Sequence, residues 1–568
     1  MRKKTYSVQG RAWLVSAIVF ALTAFLTYPL LFHFSTKFPS DLGDSSKYLW
    51  NLWWMKRAVF VENTNPFFTT FLYYPQGTGL VFDSFVPLWG ILSLPFQFLF
   101  GLITTYNILV FLSFLLSFWG MFLLVRRLTD SSLAATFGGV FYSFSPYVFA
   151  HLRGHFNLLH VWIFPWLLYA LFHFRKQPSL KRSALVSLVF LFSLFTDYYY
   201  AFYAIGITAL FLAYVYFSTS GRILKAVLLY GALIVIMYAV FLYPLFLAYI
   251  REQQSLASLR ITEFEQYSAD LLSYFVPFEQ NPLLGRFSKA YTRRFTAGTT
   301  EGTIYVGYAA LFLAFVGLFR YRDKARIKTF LVLLIVLSFL LSLGPTLTIL
   351  GKDYPISLPF SWFTSHETLS HLRVSSRFGV LSLFGIYLLS GFGIAYLSKK
   401  TKRTPLFVLV FFIWFMESAS FPIPLERPRM SVFYDSIVSD PEHFAILALP
   451  IEFWSDDVRS VYGQTVHGKP ILGGIVARPP LRWIEEYRVS PFLGNVLTFQ
   501  EGDQTFLASS IRREEREELR QSLIDLNIKY ILIYKEYAGW RDLHKYTDYV
   551  LGTRKVFEDD ILVAYQVY

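Results

Sequence analysis

Eleven apolar runs, most of them close to 20 residues long, dominate this chain and leave few folds open to it. They occupy 13–34, 105–125, 133–150, 158–174, 184–196, 201–218, 223–250, 304–319, 330–350, 378–397 and 406–421. About 20 predominantly apolar residues are what a helix needs to cross the hydrocarbon of a bilayer. A helix also satisfies its own backbone hydrogen bonds there, which an irregular segment cannot do. The chain is 55% hydrophobic and 16% charged, whereas a soluble domain carries about 25% charge. Burial in a soluble core therefore does not explain the runs. The first run is too long for a signal-peptide core of about 7–15 residues, and no A-x-A-like site follows it, so it reads as a span. The run 184–196 is short unless it extends into Tyr198–Tyr200. A further stretch, 85–102, holds Pro87 and Pro95 and reads as a helix lying in the external interface or dipping into it.

Charge orients the spans. Alternate connections hold Arg2, Lys3, Lys4 and Arg11; Arg126 and Arg127; Arg175, Lys176, Lys181 and Arg182; Arg222 and Lys225; Arg320, Arg322, Lys324, Arg326 and Lys328; and Lys399, Lys400, Lys402 and Arg403. Only Asp130 and Asp323 oppose them, so these connections net +19 and the rest of the chain −5, within a total of +14. Lys and Arg concentrate in cytoplasmic loops. The N-terminus is thus expected inside and the C-terminus outside, and the basic excess is a topology signal with no nucleic-acid partner behind it. The chain has no cysteine, which excludes disulfides, thiolate metal sites and cysteine nucleophiles.

The expectation is an α-helical polytopic membrane protein of the cytoplasmic (inner or plasma) membrane, with about eleven transmembrane helices. Residues 1–421 form the membrane domain, including a large first external loop at 35–104. Residues 422–568 form a soluble extracytoplasmic α/β domain, with strands expected at 444–451, 528–535 and 561–568 and an amphipathic helix at 514–526.

Polar variety lies on the outer side, so chemistry is sought there. Asp44 follows Asp41 and precedes an aromatic run with Trp50, Trp53 and Trp54. At a helix N-cap a carboxylate accepts backbone N–H bonds and stays ionised; the same residues also read as a capped interfacial helix with an aromatic belt. Asp197 joins two consecutive runs. It is a functional candidate if it sits at membrane depth, and a solvated turn residue otherwise. His151, Arg153, His155, Arg373 and Arg377 run against the charge bias. Arg pairs bidentately with phosphate oxygens, or snorkels to lipid headgroups. The loop 251–303 adds Asp270 and Glu301, the latter at the entry to the eighth run, where a helix N-terminal role is expected; either acid can also be plain loop surface. His151 and His155 are four apart, as zinc ligands on a helix are, but they lack the Glu of H-E-x-x-H.

The overall plan resembles the GT-C superfamily of membrane glycosyltransferases, which includes protein O-mannosyltransferases, aminoarabinose lipid A transferases and single-subunit oligosaccharyltransferases. One span is followed by a large loop opening on an acidic motif, then interfacial helices, a span from Tyr106 to the basic pair Arg126-Arg127, and a third span ending in Ser145-Pro146-Tyr147. Gly43-Asp44-Ser45-Ser46-Lys47-Tyr48-Leu49-Trp50-Asn51-Leu52-Trp53-Trp54, Tyr74-Pro75-Gln76-Gly77 and Arg373 to Phe378 are similar to motifs of uncharacterised prokaryotic members. The resemblance implies an inverting glycosyltransferase of hexosyltransferase type. Its donor is a polyprenyl-phosphate-linked sugar at the outer membrane face, and its acceptor is a protein, lipid or cell-envelope glycan. Asp44 matches the family's catalytic acid best and Asp41 second; better-known members have adjacent acids where this chain has two acids three apart. Arg377, Arg373 and Arg153 are implied to hold the donor phosphate. Asp197, Asp270, Glu301, His151 and His155 are implied to bind sugar, acceptor or a divalent cation. The family splits on metal use, so a cation is left open and no other cofactor is implied. A flippase or transporter for a lipid-linked glycan would instead show two related halves with broken spans. A non-catalytic GT-C-like envelope scaffold would need none of these acids.

Overall fold

Apolar runs become helices, and at three of them a proline or a glycine-proline pair cuts the helix short, whereas the helix Gly221–Glu252 continues through Pro244. The computed structural model describes residues 9–40, 44–81, 83–252, 261–366, 372–401, 404–453, 459–477, 479–502, 515–552 and 554–568. The runs appear as α1 (Gln9–Leu26), α2 (Leu102–Thr129), α3 (Ser132–Ser143) with α4 (Pro146–His151), α5 (Ile163–Lys176), α6 (Leu180–Leu194), α7 (Tyr198–Ser218) and α8 (Gly221–Glu252). After a short α9 (Gly298–Glu301) come α10 (Tyr308–Arg320), α11 (Ala325–Ser342), α12 (Gly379–Lys400) and α13 (Thr404–Ser418). Among the described residues, five helices, α2, α7, α8, α11 and α12, are long and apolar enough to cross a membrane. The apolar α10 and α13, the apolar part of α1 and the helix Pro87–Phe100 are shorter than that.

Three runs end earlier than their apolar length suggests. Proline drives the residue before it out of the helical region, and Ser145 is accordingly extended (ψ 154°), splitting the third run into α3 and α4. The run 330–350 stops at Ser342. Gly344 takes φ +82° before Pro345, and the remainder forms a hairpin of Thr346–Ile349 with Lys352–Ser357. The first run stops at Leu26, ahead of Pro29, and a 3-10 turn follows at Leu30–His33.

The chain forms two compact units. The first comprises Met1–Pro39, Ile103–Tyr243 and Leu259–Leu425; the second comprises Ser40–Leu102, Pro244–Ser258 and Glu426–Tyr568. In the first, α12 is buried along nearly its whole length. Helix α10 packs along it at a crossing that only glycine permits. A Cβ on Gly317 would lie 2.1 Å from the Leu389 carbonyl oxygen, and one on Gly393 2.1 Å from that of Leu313. In lipid, where water does not drive helices together, such small-residue contacts are a main source of association. The start of α10 is fixed from another side. The Glu417 carboxylate, in the last turn of α13, accepts hydrogen bonds from the Tyr308 and Ala309 amides at 3.0 and 3.1 Å and from the Tyr305 hydroxyl at 3.3 Å. It supplies the negative charge that a helix N-terminus favours.

The second unit holds a four-stranded sheet of β1 (Ala445–Leu449), β2 (Ile528–Tyr534), β3 (Lys555–Glu558) and β4 (Leu562–Gln566). The order is β1-β2-β4-β3, with β1 parallel to β2 and the other pairs antiparallel. The strands expected at 444–451, 528–535 and 561–568 correspond to β1, β2 and β4, and the helix expected at 514–526 is Glu515–Asp525. The edge strand β3 has almost no buried residue, so no apolar pattern announced it. The loop 35–104 is expected with the spans, whereas Ser40–Leu102 packs in one compact unit with Glu426–Tyr568. The reason is a shared core: Trp50, Trp54, Phe71, Leu72 and Tyr73 pack with Ile446, Leu472 and Tyr487. Polar contacts set the register. The Trp50 indole donates to Gln464 at 2.6 Å, the Gln464 amide donates to the Phe71 carbonyl at 2.6 Å, and the Tyr73 hydroxyl donates to the Gly474 carbonyl at 2.8 Å. Lys47 and Asp83, both buried, pair at 2.5 Å.

Two outcomes are expected in the purified full chain. Removing one partner of a buried pair costs about 3–5 kcal/mol because it strands the other charge. Asp83→Asn should therefore render the segment Glu426–Tyr568 protease-sensitive at temperatures the parent withstands, and adding Lys47→Met should recover part of the loss. Gly393→Leu should abolish the monodisperse peak in size-exclusion chromatography, because the α10–α12 crossing has no room for a side chain.

Candidate functional site

The first unit gathers side chains from four chain segments at the end where α10 and α12 begin. After Pro146 starts α4, a turn carries the chain from His151 to His155, with the His155 amide donating to the His151 carbonyl at 2.8 Å. The two imidazoles meet with Nδ1 atoms 2.9 Å apart, and Tyr147 stands edge-on to His151. A 3-10 turn, Phe156–Leu159, follows. From it the Asn157 amide donates to Asp197 Oδ2 at 2.6 Å. Asp197 is the N-cap of α7, its Oδ1 accepting from the Tyr200 amide at 3.1 Å, as Asp does where helix N–H groups lack partners. The Tyr200 hydroxyl donates to the Leu158 carbonyl at 2.6 Å, locking this turn to α7.

Glu301 ends α9, and Arg377 lies in the 3-10 turn Ser375–Phe378 just before α12. Arg377 Nε donates to both Glu301 oxygens, at 3.0 and 3.1 Å, and one terminal nitrogen donates to Oε1. This two-pronged, charge-assisted pairing fixes the guanidinium plane. The other terminal nitrogen makes no hydrogen bond among the described residues. The guanidinium sits over the Tyr199 ring, 5.0 Å from its centroid. His155 approaches the same carboxylate at 3.6 Å. Burial alone would raise the Glu301 carboxyl, but Arg377, His155 and His151 outweigh it and hold it down at about 2. Asp197 goes the other way: burial pushes its carboxyl up, against the pull of Arg377, Asn157 and the Tyr200 amide. The cluster thus contains one carboxyl held down by its cationic neighbours and one pushed up by burial.

Five of the residues singled out in the sequence come together here: His151, His155, Asp197, Glu301 and Arg377. Arg153 is half-buried in the turn between the histidines. Arg373 lies four residues before Arg377, over the Tyr267 ring at 5.7 Å, while the neighbouring Val374 amide donates to the Tyr199 hydroxyl at 2.9 Å. Three expectations are corrected. Asp270 is a buried turn residue whose oxygens accept from the Leu272 and Gly351 amides at 2.9 and 2.8 Å. Glu301 does not cap the eighth run, since Glu417 does that. Asp44, in the second unit, stands at the N-cap of the helix Ser45–Phe60, but its side chain makes no capping bond. Asp41 lies outside the described residues. The sequence reading missed Asn157, Tyr147 and Tyr199 as partners; their only signal was proximity in sequence to His155, His151 and Asp197.

His151, His155 and Glu301 each place a ligand atom within 4.8 Å of the others. Two imidazoles and a carboxylate are a donor set that zinc and related divalent ions accept. Nε2 of the buried His151 has no hydrogen-bond partner among the described residues. The set fits in type and spacing, with one constraint: Glu301 already carries Arg377, so a cation must share that carboxylate with a guanidinium or displace it.

Residues 14–418 match the family described as Domain of unknown function (DUF6311). The chain belongs to that family. No curated protein matches its sequence. Among solved structures, the arabinofuranosyltransferase AftD from Mycobacteria is similar with a TM-score of 0.62 at 13% identity, over 98% of this chain and 40% of that one. The chain thus spans about two-fifths of the length of that transferase. The apo oligosaccharyltransferase of Archaeoglobus fulgidus is similar with a TM-score of 0.52 at 11% identity, over 96% of this chain and 71% of that one. The same organism's AglB, solved with an inhibitory peptide and a dolichol-phosphate, gives 0.50 at 12% identity, over 95% and 72%. This DUF6311 chain has the fold of the GT-C membrane glycosyltransferases.

The Glu301–Arg377 pair has a distinct pH signature. Because the carboxyl is depressed from 4.5 to about 2, its contribution to stability is complete above the unfolded value and is lost as pH falls toward 2. The stability gap between parent and Glu301→Gln, read from thermal unfolding in detergent, should be constant from neutrality down to about pH 4.5 and shrink below it. Asp197→Ala should lose about 1 kcal/mol of helix capping, and Asp197→Asn much less.

Proposed function

We propose that this protein is an inverting glycosyltransferase that takes a sugar from a polyprenyl-phosphate donor at the outer face of the cytoplasmic membrane. The observation that carries the reading is Arg377: a guanidinium only 14% exposed, oriented by Glu301, whose other terminal nitrogen makes no hydrogen bond among the described residues, in a bundle with the GT-C fold. A rigid fork with an open edge is suited to a phosphate oxygen. The dolichol-phosphate in AglB favours a lipid-phosphate donor here as well. About eleven crossings, an inside N-terminus and an extracytoplasmic 422–568 complete the proposed topology, supported by the distribution of Lys and Arg.

In the proposed reaction the acceptor oxygen bonds to the anomeric carbon as its proton passes to a carboxylate base. The bond from that carbon to the phosphate oxygen breaks, and the electron pair leaves with the polyprenyl phosphate. Arg377 meets the growing charge on the leaving phosphate, and Arg373 adds to it. Because Glu301 has already oriented the guanidinium, no reorganisation is required at the transition state. Asp44 is assigned as the base by resemblance to the acid of the family's first external loop, with Asp41 as its alternate. Asp197 and Asn157 offer polar groups to sugar hydroxyls. A divalent cation held by His151, His155 and Glu301 would add positive charge next to the same phosphate.

The test is sugar transfer by the purified full chain from synthetic polyprenyl-phosphate donors, with cell-envelope extract as acceptor. Arg377→Ala should lower kcat by about 10²–10³, the loss typical when one preorganised charge-stabilising donor is removed, with Arg377→Lys in between. Asp44→Asn should lower it by about 10²–10⁴. Full turnover by Arg377→Ala would reject the phosphate site, and full turnover by Asp44→Asn would reject the base alone. Transfer of intact lipid-linked glycan across proteoliposomes without glycosidic bond formation would favour a flippase.

A further inference from the structure

The opposite end of the same bundle has a second cleft, unrelated to the chemistry above. It has a volume of about 630 Å³, within the range of about 300–1,000 Å³ of small-molecule sites. It opens where α2, α10 and α12 end and α3 and α11 begin. Its floor includes Thr129 and Tyr321, both buried, and its rim carries Asp130, Asp323, Lys324 and Lys399.

The origin of the two acids is informative. In the connections that hold twenty-one Lys and Arg, Asp130 and Asp323 are the only carboxylates. They come from different connections, far apart in sequence, yet the fold brings both to one cleft. Simple neutralisation of basic loops would not require that. Nor are the charges consumed by one another. Lys399 and Asp323 approach only to 3.9 Å with both side chains more than 60% exposed, a contact of little energetic value. Asp130 and Lys324 form no ion pair among the described residues. Both also hold left-handed backbone, φ +57° and +66°, which non-glycine residues seldom adopt.

We propose that this cleft binds the headgroup of a phospholipid bearing both an ammonium and a phosphate, of the phosphatidylethanolamine class. Two carboxylates and two ammonium groups leave the rim neutral, so neither a bare cation nor a bare anion is favoured, while a zwitterion finds a partner for each charge. Asp130 and Asp323 take the ligand's N–H groups, and Lys324 and Lys399 its phosphate oxygens. Position selects a lipid. Helix α12 begins just after Arg377 and ends just beyond Lys399, 22 residues in all. At 1.5 Å per residue that is about 33 Å, close to the thickness of a bilayer's hydrocarbon core of about 30 Å. The cleft therefore lies at the headgroup level of the leaflet opposite Arg377. Anionic lipids would be drawn to this basic end without any carboxylate; the two acids add a preference for ammonium.

The test uses native mass spectrometry of the purified full chain in detergent with equimolar phosphatidylethanolamine, phosphatidylcholine and phosphatidylglycerol. Ethanolamine lipid should be retained about fivefold over the other two, as one or two weak ion pairs allow. Asp130→Asn with Asp323→Asn should erase the preference over phosphatidylglycerol. Lys399→Gln, an exposed change that leaves folding intact, should weaken retention of the ethanolamine lipid. Equal retention of phosphatidylglycerol, or an unchanged preference in the double variant, would overturn the proposal. So would binding of soluble glycerophosphoethanolamine at micromolar concentration with no lipid preference, which would assign the cleft to a soluble ester. Arg377 and Glu301 are untouched by these variants, so sugar transfer should continue in all of them.

Discussion

The close crossing of α10 and α12 is the contact on which the candidate site depends. Glu301 precedes α10 by a few residues, and Arg377 immediately precedes α12. Both helices run the same way from that point. With backbones in contact at Gly317 and Gly393, their starting ends are held close enough for a short acidic turn and a short basic turn to meet. Glu417 braces the same end by binding the first amides of α10. The ion pair is therefore a product of helix packing, and the packing depends on two positions where a methyl group would already collide.

Burying this pair would be unfavourable without its surroundings. A carboxylate and a guanidinium removed from water need both good mutual geometry and further polar partners. The structure supplies them: two hydrogen-bond donors of Arg377 on one carboxylate, the Tyr199 ring against the guanidinium, and the His155 imidazole 3.6 Å from Glu301, with His151 in the same cluster. Asp197 is held independently, by the first turn of α7 and by Asn157. The cluster is preorganised, with each charged group oriented by a neighbour from a different segment.

Much of the fold was readable in the sequence because it follows from local composition. Each apolar run formed a helix, and Pro146 and Gly344-Pro345 account for two of the early stops. The site was partly readable for the same reason. Arg377, Glu301, Asp197, His151 and His155 stood out as polar groups beside apolar runs, on the side where the charge bias is broken. What could not be read was pairing. Nothing local distinguishes Glu301, which meets Arg377, from Asp270, which ties down a turn through backbone amides. The grouping of the first loop with the C-terminal segment was hidden too, since tertiary burial of Trp50 and Trp54 looks in sequence like an interfacial aromatic belt. The exposed β3 carries no periodic signal at all.

The second unit's core draws on two stretches separated by the whole membrane bundle, and this has a consequence for biogenesis. Trp50, Trp54 and Tyr73 leave the ribosome early, whereas β1, β2 and β4 are made last. At roughly 5–20 residues per second, the intervening stretch of about 320 residues delays the partner by something near half a minute. For that interval a newly made aromatic surface is without its cover. Biogenesis therefore passes through a stage at which the early aromatic segment exists and the late strands that cover it do not.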